Sequence, residues 1–189
     1  MHEDSHPLIE QVQILGASLL QGHLDCPRYQ RQLAGLLRQH FHCSQVSIWS
    51  LSGQGAGQQA VCLTMDRAET LQAARDDMLQ VHAHQAYFDC LRLQGYIASA
   101  DTHADPSLQA VRQRYLCEGA PRALLDVAFT VNGQTFGILC CEELLRPRRW
   151  AAEELMLLRR VGGRVALHLK AHEAQARARA PDESPVVPR

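Results

Sequence analysis

The stretch Leu124–Trp150, which reads LLDVAFTVNGQTFGILCCEELLRPRRW, decides the fold of this chain. It contains two strand-like runs, Leu124–Thr130 and Thr135–Cys141, on either side of Asn132-Gly133. An Asn-Gly pair between two apolar runs is typical of a tight hairpin turn, because both residues tolerate a positive φ. A loop through Arg148-x-Trp150 then leads into an amphipathic helix predicted over residues 151–172. The stretch therefore predicts an antiparallel hairpin followed by a C-terminal helix.

Two helices and two strands are predicted in the first 65 residues. A helix over residues 8–20 is indicated by apolar side chains at helical spacing, namely Leu8, Val12, Leu15 and Leu19. A second helix is predicted from about Pro27 to His40, with Asp25 or Cys26 near its cap. Gln45–Leu51 alternates in the manner of a half-buried strand, and Gln59–Met65 returns after a glycine-rich turn.

The segment between these strands and the hairpin is more polar. Asp66–Gln94 has helix-compatible spacing, which is best over His84–Leu93, and Tyr96–Ala100 is predicted as a short strand. Asp105-Pro106 supplies a cap and a first-turn residue for a helix that extends to Tyr115.

Helices at both ends of hairpin-linked strands predict an α+β fold. We expect a central antiparallel sheet of about six strands, with the N- and C-terminal helices packed on one face. The predicted organisation is an N-terminal amphipathic helix (1–24), a main domain (25–172) and a flexible tail (173–189).

Composition excludes several classes of protein. The chain has 189 residues, 46% hydrophobic and 21% charged, which is ordinary for a soluble globular domain. A net charge of −1 gives no reason to expect nucleic acid or an acidic membrane surface as a partner. No secretory signal or membrane-spanning run is visible. Seven irregularly spaced cysteines favour free thiols in a reducing cytoplasm over a disulfide framework.

The order and spacing of several short pieces resemble a GAF domain, a small-molecule sensing module related to PAS domains. The subfamily concerned occurs in bacterial signalling proteins, often fused to histidine kinase or diguanylate cyclase domains. The matching pieces are Tyr87-Phe88, Ile97–Asp101 with Asp105-Pro106, Tyr115-Leu116, Leu124–Val127, and Gly137–Glu142 with Arg148-x-Trp150. The chain departs from that subfamily at Glu143, Leu145 and Ala151, and the last position lacks the usual capping hydroxyl.

The resemblance implies a signalling role without an attached output domain. We therefore expect a stand-alone sensor that binds an unidentified small molecule and acts through a separate signalling protein or through a homodimer. In the last helix, an apolar stripe suits dimerisation, and it consists of Leu155, Leu158, Gly162, Val165 and Leu169. The alternative is that this stripe docks onto the sheet of its own domain.

In GAF domains the ligand usually lies between the sheet and the segment that joins the second strand to the hairpin, here about His84 to Tyr115. Aromatic faces, a carboxylate and a cation in this segment suit a small pocket, and the candidate ligand-binding residues are Tyr87, Tyr96, Asp101, Arg112 and Tyr115. The alternative is that the tyrosines belong to the core, Asp101 ends a strand and Arg112 lies on a solvated helix face.

The sequence gives no support for a cyclic nucleotide, a bilin or a metal ion as the ligand. The asparagine-lysine and phenylalanine-aspartate-glutamate signature of cyclic-nucleotide-binding relatives is missing, and His42-Cys43 reverses the order of the bilin-binding pair. His82 and His84 would point apart on a helix, and His40, His42 and Cys43 could converge only in an irregular linker. No metal is therefore expected, and the cofactor stays unknown. Cys140 and Cys141 are adjacent in a strand, so they should point to opposite faces.

A thiol enzyme is the alternative function. The free methionine-(R)-sulfoxide reductases are GAF domains that use a nucleophilic and a resolving cysteine, and Cys90 and Cys117 lie in the corresponding region. The residues around these cysteines do not match that family, so a non-catalytic module is the preferred interpretation.

Overall fold

The computed structural model describes residues 5–53, 57–68, 78–111 and 120–179. These residues form four α-helices, which are α1 (Ser5–Leu20), α2 (Cys26–Phe41), α3 (Gln85–Gln94) and α4 (Ala152–Arg179). The strands are β1 (Gln45–Ser52), β2 (Gln59–Arg67), β3 (Met78–Gln80), β4 (Tyr96–Ser99), β5 (Ala123–Val131) and β6 (Gln134–Glu143). Short 3-10 helices cover Val81–His84 and Pro106–Val111. None of these helices is long and apolar enough to cross a membrane.

The strands form one sheet in the order β3-β2-β1-β6-β5-β4, and every neighbouring pair is antiparallel. The predicted α+β class with an antiparallel sheet is therefore confirmed. Five strands make up the body of the sheet, and β3 adds three residues at one edge. The helix-compatible pattern of Asp66–Gln94 did not predict β3, which exists because it pairs with β2.

The β5–β6 hairpin turns as its sequence predicts. Asn132 and Gly133 both have positive φ, 51° and 77°, which is the twist that a tight hairpin turn requires. Further along β6, a Cβ atom at Gly137 would lie 2.1 Å from the backbone oxygen of Trp49. Only glycine therefore allows β6 to approach β1 at this point.

The predicted helix ends are partly confirmed. The Asp25 carboxylate accepts a hydrogen bond from the Arg28 N–H at 2.7 Å, so Asp25 is the cap of α2. At Ala151, which has no side-chain acceptor, Glu154 accepts from the backbone N–H at 2.7 Å and supplies half of a capping box. Helix α4 continues to Arg179, beyond the boundary predicted at residue 172, and residues 180–189 lie outside the described part.

The helix predicted from Asp105-Pro106 differs from the structure. Its described part is the 3-10 helix Pro106–Val111 rather than an α-helix. The remainder, to Tyr115, lies outside the residues that the structure describes.

Two cores lie on opposite faces of the sheet. The first core is covered by α1, α2 and α4, and its sheet residues include Val46, Leu125, Val127, Phe129 and Cys141. The second core lies under α3, and its sheet residues include Trp49, Ile97, Leu124, Ile138 and Cys140. Cys140 and Cys141 thus face opposite sides, as predicted.

Because both faces are covered, β1 is buried on both sides along Gln45–Trp49. The prediction of a half-buried strand there was wrong, since its Ser47 side chain is as buried as that of Val46.

The terminal helices pack against the sheet and against each other. The middle of the predicted α4 stripe, Leu158, Gly162 and Val165, is buried, and Gly162 lies beside Val127 and Phe129. A Cβ atom at Gly16 of α1 would lie 2.2 Å from the His168 ring of α4, so a larger residue there would displace this ring. The stripe therefore docks onto its own domain.

Candidate functional site

The side of the sheet opposite α1, α2 and α4, which we call the polar face, carries an unusual concentration of buried polar side chains. At most 2% of each of these residues is exposed, and they are Gln45, Ser47, Ser99, Asp126 and Glu142. Alternation along β1, β4, β5 and β6 directs them all to this one face, because their strand neighbours belong to the first core or face it. Burying polar groups costs free energy unless they are hydrogen-bonded, so such a concentration favours a site over a simple core.

Asp126 lies at the centre of the polar face. The Tyr87 hydroxyl of α3 donates a hydrogen bond to its carboxylate at 2.5 Å, which ties the helix to the sheet. In the strand register, Asp126 lies opposite Cys140 of β6, and Cys140 lies opposite Ser47 of β1. The Ser47 hydroxyl in turn accepts from the Trp49 indole N–H at 2.9 Å.

A second row of hydrogen-bonded polar side chains lies beside the row that contains Asp126. The Gln45 side-chain amide donates to Glu142 at 2.5 Å, and its carbonyl accepts from the Arg67 Nε–H at 2.5 Å. These two bonds fix which way the Gln45 amide points. Both carboxylates of the polar face are therefore held in defined orientations, Asp126 by Tyr87 and Glu142 by Gln45.

An ion pair closes the end of the polar face beyond β4. One guanidinium nitrogen of Arg122 lies 3.0 and 3.1 Å from the two carboxylate oxygens of Asp101. The backbone around this pair is also bonded, since Arg122 donates its N–H to Glu143 and accepts from Thr102. This end of the site is thus built from strand ends rather than from a free loop.

A groove of about 560 Å³ lies at the hairpin end of the same side, between α3 and the β5–β6 hairpin. Its lining includes Phe88 and Arg92 of α3 and Thr130 and Ile138 of the hairpin. This volume is in the range of small-molecule sites, and its mixed lining suits a ligand with both apolar and polar parts.

The structure brings two of the five predicted ligand-binding residues to the polar face, namely Tyr87 and Asp101. Tyr96 lies on the other face, where it packs against the first core with the Arg159 guanidinium 5.7 Å from its ring. The reason is strand alternation, because Ile97 faces the second core and its neighbour must face the opposite way. Arg112 and Tyr115 lie outside the described residues.

The residues at the centre of the site were not among the predicted ligand-binding residues. Gln45 and Ser47 were predicted only as parts of a strand, and Asp126 and Glu142 only as parts of strands that resemble pieces of a GAF domain. A signal was present, because Asp126 and Glu142 are charged residues within or directly after continuous apolar runs. A charge in such a run is either paired or part of a site.

The positions and pKa shifts of the thiols give little support to a nucleophilic cysteine or to covalent attachment of a ligand. Burial, and next the negative charge of Asp105, raises the pKa of the Cys90 thiol, which opposes formation of a nucleophilic thiolate. Cys117 lies outside the described residues. Cys43 of the His42-Cys43 pair belongs to the first core, on the side away from the polar face. Among residues 5–53, 57–68, 78–111 and 120–179, no three His, Cys, Asp or Glu side chains are placed to hold a metal ion.

Solved structures with the same fold include light-absorbing proteins and an enzyme. The GAF domain of PixJ from Thermosynechococcus elongatus, in its blue-light-absorbing form, is 20% identical, with a TM-score of 0.62 over 79% of this chain and 88% of that one. The far-red-absorbing dark state of JSC1_58120g3 with bound biliverdin is 12% identical, with a TM-score of 0.68 over 90% and 99%. Free methionine-R-sulfoxide reductase from Neisseria meningitidis, in complex with its substrate, is 13% identical, with a TM-score of 0.66 over 93% and 95%.

At these identities the likeness concerns the fold alone. No curated protein matches the sequence. The sequence itself, however, matches the GAF domain family over residues 30–169, which span β1 to β6 and most of α4. The chain therefore belongs to the GAF domain family.

Proposed function

We propose that this chain is a cytoplasmic, non-catalytic sensor domain that binds a small molecule on the polar face and signals through its terminal helices. The observation that carries the proposal is the set of five buried polar side chains on one face of the sheet. Membership of the GAF family and neighbours with bound biliverdin or substrate support a ligand at this fold. The described cysteines are all free thiols, which agrees with a reducing compartment.

The proposed signal follows from how the site is connected. Tyr87 and Asp126 join α3 to β5, and the other face of β5 is packed against α4. A ligand that binds differently to two arrangements of α3 would shift their populations, and β5 would carry that shift to α4. The recipient would be a separate signalling protein or a second copy of the chain.

A thiol enzyme is the weaker candidate. A methionine sulfoxide reductase would need a cysteine of lowered pKa at the polar face, whereas burial raises the pKa of Cys90. Turnover of free methionine sulfoxide with a thiol reductant, abolished by Cys90→Ser, would replace the sensor proposal with this one.

The direct test of the sensor proposal is native mass spectrometry of the purified protein, followed by thermal-shift screening with a library of metabolites. We expect a bound small molecule, or a library compound that stabilises the protein by mass action. Tyr87→Phe and Asp126→Asn should each weaken binding of that compound about tenfold or more, because each removes or neutralises a polar group of the site.

The matched control is Tyr29→Phe. Tyr29 is fully buried and its hydroxyl lies 3.0 Å from His168, but on the side of α1, α2 and α4. Its loss should cost stability without changing ligand affinity. Unchanged affinity in both Tyr87→Phe and Asp126→Asn, or no ligand from either search, would refute the proposed site.

A further inference from the structure

Two buried donor groups at one corner of the polar face lack hydrogen-bond partners within the described part of the chain. Ser99 at the end of β4 is fully buried, and its hydroxyl has no hydrogen-bond partner among the described residues. The Nε of Arg122 is buried as well, and over the same described ranges it has no acceptor. Native proteins satisfy nearly all buried polar atoms, so two such atoms need an explanation.

The two residues are neighbours on the sheet. Ser99 pairs with Leu124 in the strand register, and Arg122 precedes Leu124 by two residues. They are therefore diagonal neighbours on one face, with backbones about 7–8 Å apart, a distance that a long side chain spans. Both can donate a hydrogen bond to a ligand, since a serine hydroxyl is a donor and Nε–H is only a donor.

The position of the Arg122 guanidinium is fixed. Its Nη2 contacts both oxygens of Asp101, and its backbone N–H donates to the Glu143 oxygen at 2.7 Å. The Nε–H is thereby held in one direction rather than free to turn toward solvent. Such preorganisation favours binding of a fixed acceptor.

We propose that Ser99 and Arg122 form a carboxylate-binding corner, which holds the acid group of the ligand that the polar face recognises. The inference rests on the proposed function and adds the chemical class of the ligand. A charged oxygen acceptor makes the stronger hydrogen bonds with an arginine N–H, so a carboxylate binds there better than an amide carbonyl.

Charge selects a monoanion over a phosphate. Asp101 already balances the positive charge of Arg122, so the corner has little net positive charge to offer. Two further carboxylates, Asp126 and Glu142, are buried on the same face and would repel a dianion about twice as strongly as a monoanion. The ligand class is thus a small organic molecule that carries a carboxylate.

The test measures binding of matched acids and amides to the full chain. The probes are propionate, succinate and benzoate, their amides, and inorganic phosphate. Ligand-observed NMR detects binding, and fluorescence of Trp49, which lies in the second core beneath α3, follows the titrations. We expect at least one acid to bind, its amide to bind at least about tenfold more weakly, and phosphate not to bind.

Two variants connect that binding to the corner. Ser99→Ala removes the hydroxyl, and Arg122→Lys keeps a positive charge beside Asp101 while removing the Nε–H. Each variant should weaken binding of the acid by about tenfold or more, and it should weaken binding of the amide less. The matched controls are Ser50→Ala and Arg28→Lys, since Ser50 donates to the Val61 oxygen and Arg28 pairs with Asp25 at the exposed start of α2, away from the corner.

A second readout needs no ligand. If Ser99 awaits a ligand acceptor, Ser99→Ala loses no hydrogen bond in the free protein, and its thermal unfolding temperature should be unchanged or higher. A clear fall would mean that the hydroxyl is already satisfied within the free protein, and this would overturn the inference.

The remaining outcomes separate this inference from the proposed function. Acid binding that survives both variants, or phosphate binding better than the acids, would overturn the corner. If no acid binds, but another compound binds the wild type and no longer binds the Tyr87→Phe variant, the carboxylate-binding corner is refuted and the sensor function stands. If no compound of any class binds, both fail.

Discussion

Two buried tyrosines, Tyr29 and Tyr87, place their hydroxyl groups on opposite sides of the sheet and serve different purposes. Tyr87 donates to the Asp126 carboxylate at the centre of the polar face. Tyr29 meets the Nδ1 of His168, and this contact joins α2 to α4 beneath α1. One bond therefore belongs to the candidate site and the other to the scaffold.

The contact between Tyr29 and His168 leads to a prediction of how the stability of the protein depends on pH. Burial, and next the positive charge of Arg164, lowers the pKa of His168 from its ordinary value of 6.5. Near that pH the unfolded chain binds a proton at His168 that the folded chain does not. The free energy of unfolding should therefore fall as the pH drops through 6.5 toward the lowered value, and be fully retained above 6.5.

Urea denaturation at a series of pH values checks this, with His168→Asn as the comparison. The asparagine carbonyl keeps a neutral acceptor for Tyr29 but does not titrate. The variant should lose less stability than the wild type between pH 7.5 and pH 5, and parallel curves for the two proteins would contradict the role given to His168.

At the level of elements, Arg148 connects three parts of the fold. Its guanidinium contacts Glu143 of β6 at 3.1 Å, Glu154 of α4 at 2.6 Å and the backbone oxygen of Phe41 in α2 at 2.8 Å. It also lies 4.2 Å from the centre of the Trp150 ring. The Arg148-x-Trp150 motif, which helped to identify the family, thus secures the start of α4 rather than forming part of the polar face.

Arg148→Lys should destabilise the protein by about 2–4 kcal/mol, since an ammonium group cannot make these forked and stacked contacts at once. Chemical denaturation measures the loss. The control is Arg92→Lys, where an exposed pair with Asp89 should change stability by less than about 0.5 kcal/mol. Equal effects of the two changes would show that Arg148 has no special place in the fold.

For the whole molecule, the surface that can contact a partner depends on which side of α4 the sheet covers. The stripe predicted for dimerisation is largely occupied by the domain's own sheet, and Leu158 and Val165 are fully buried. The outward side of α4 instead exposes Met156 and Leu167, by 65% and 58%. Gly163 lies between them with nothing within 4 Å of an added Cβ, so another helix could approach there.

If the chain forms a homodimer through its terminal helices, as we propose, this outward side of α4 is the contact. Sedimentation at micromolar concentration should then give a dimer, and Met156→Glu combined with Leu167→Glu should give a folded monomer, because each would bury an unpaired charge. Leu93→Glu on α3, where the side chain is 86% exposed, is the control and should leave the dimer intact. A wild-type monomer, or a dimer that survives the double change, would refute this interface.

The sequence alone determined features that depend on neighbouring residues. Asn132-Gly133 fixed the hairpin because few residue pairs accept two positive φ values. Asp25 fixed the start of α2 because its carboxylate reaches an N–H three residues away. Apolar spacing located α1, α2 and α4, and the alternation of a strand was enough to separate Cys140 from Cys141.

Only the tertiary structure decided which face each strand presents and what covers it. Tyr96 belongs to the first core and Asp126 to the polar face because of how β4 and β5 pair and where α3 and α4 lie. β3 exists only through its pairing with β2, and β1 is buried on both sides because helices cover both. Local sequence sets the periodicity of an element, but the direction in which that periodicity points is set by contacts with residues far along the chain.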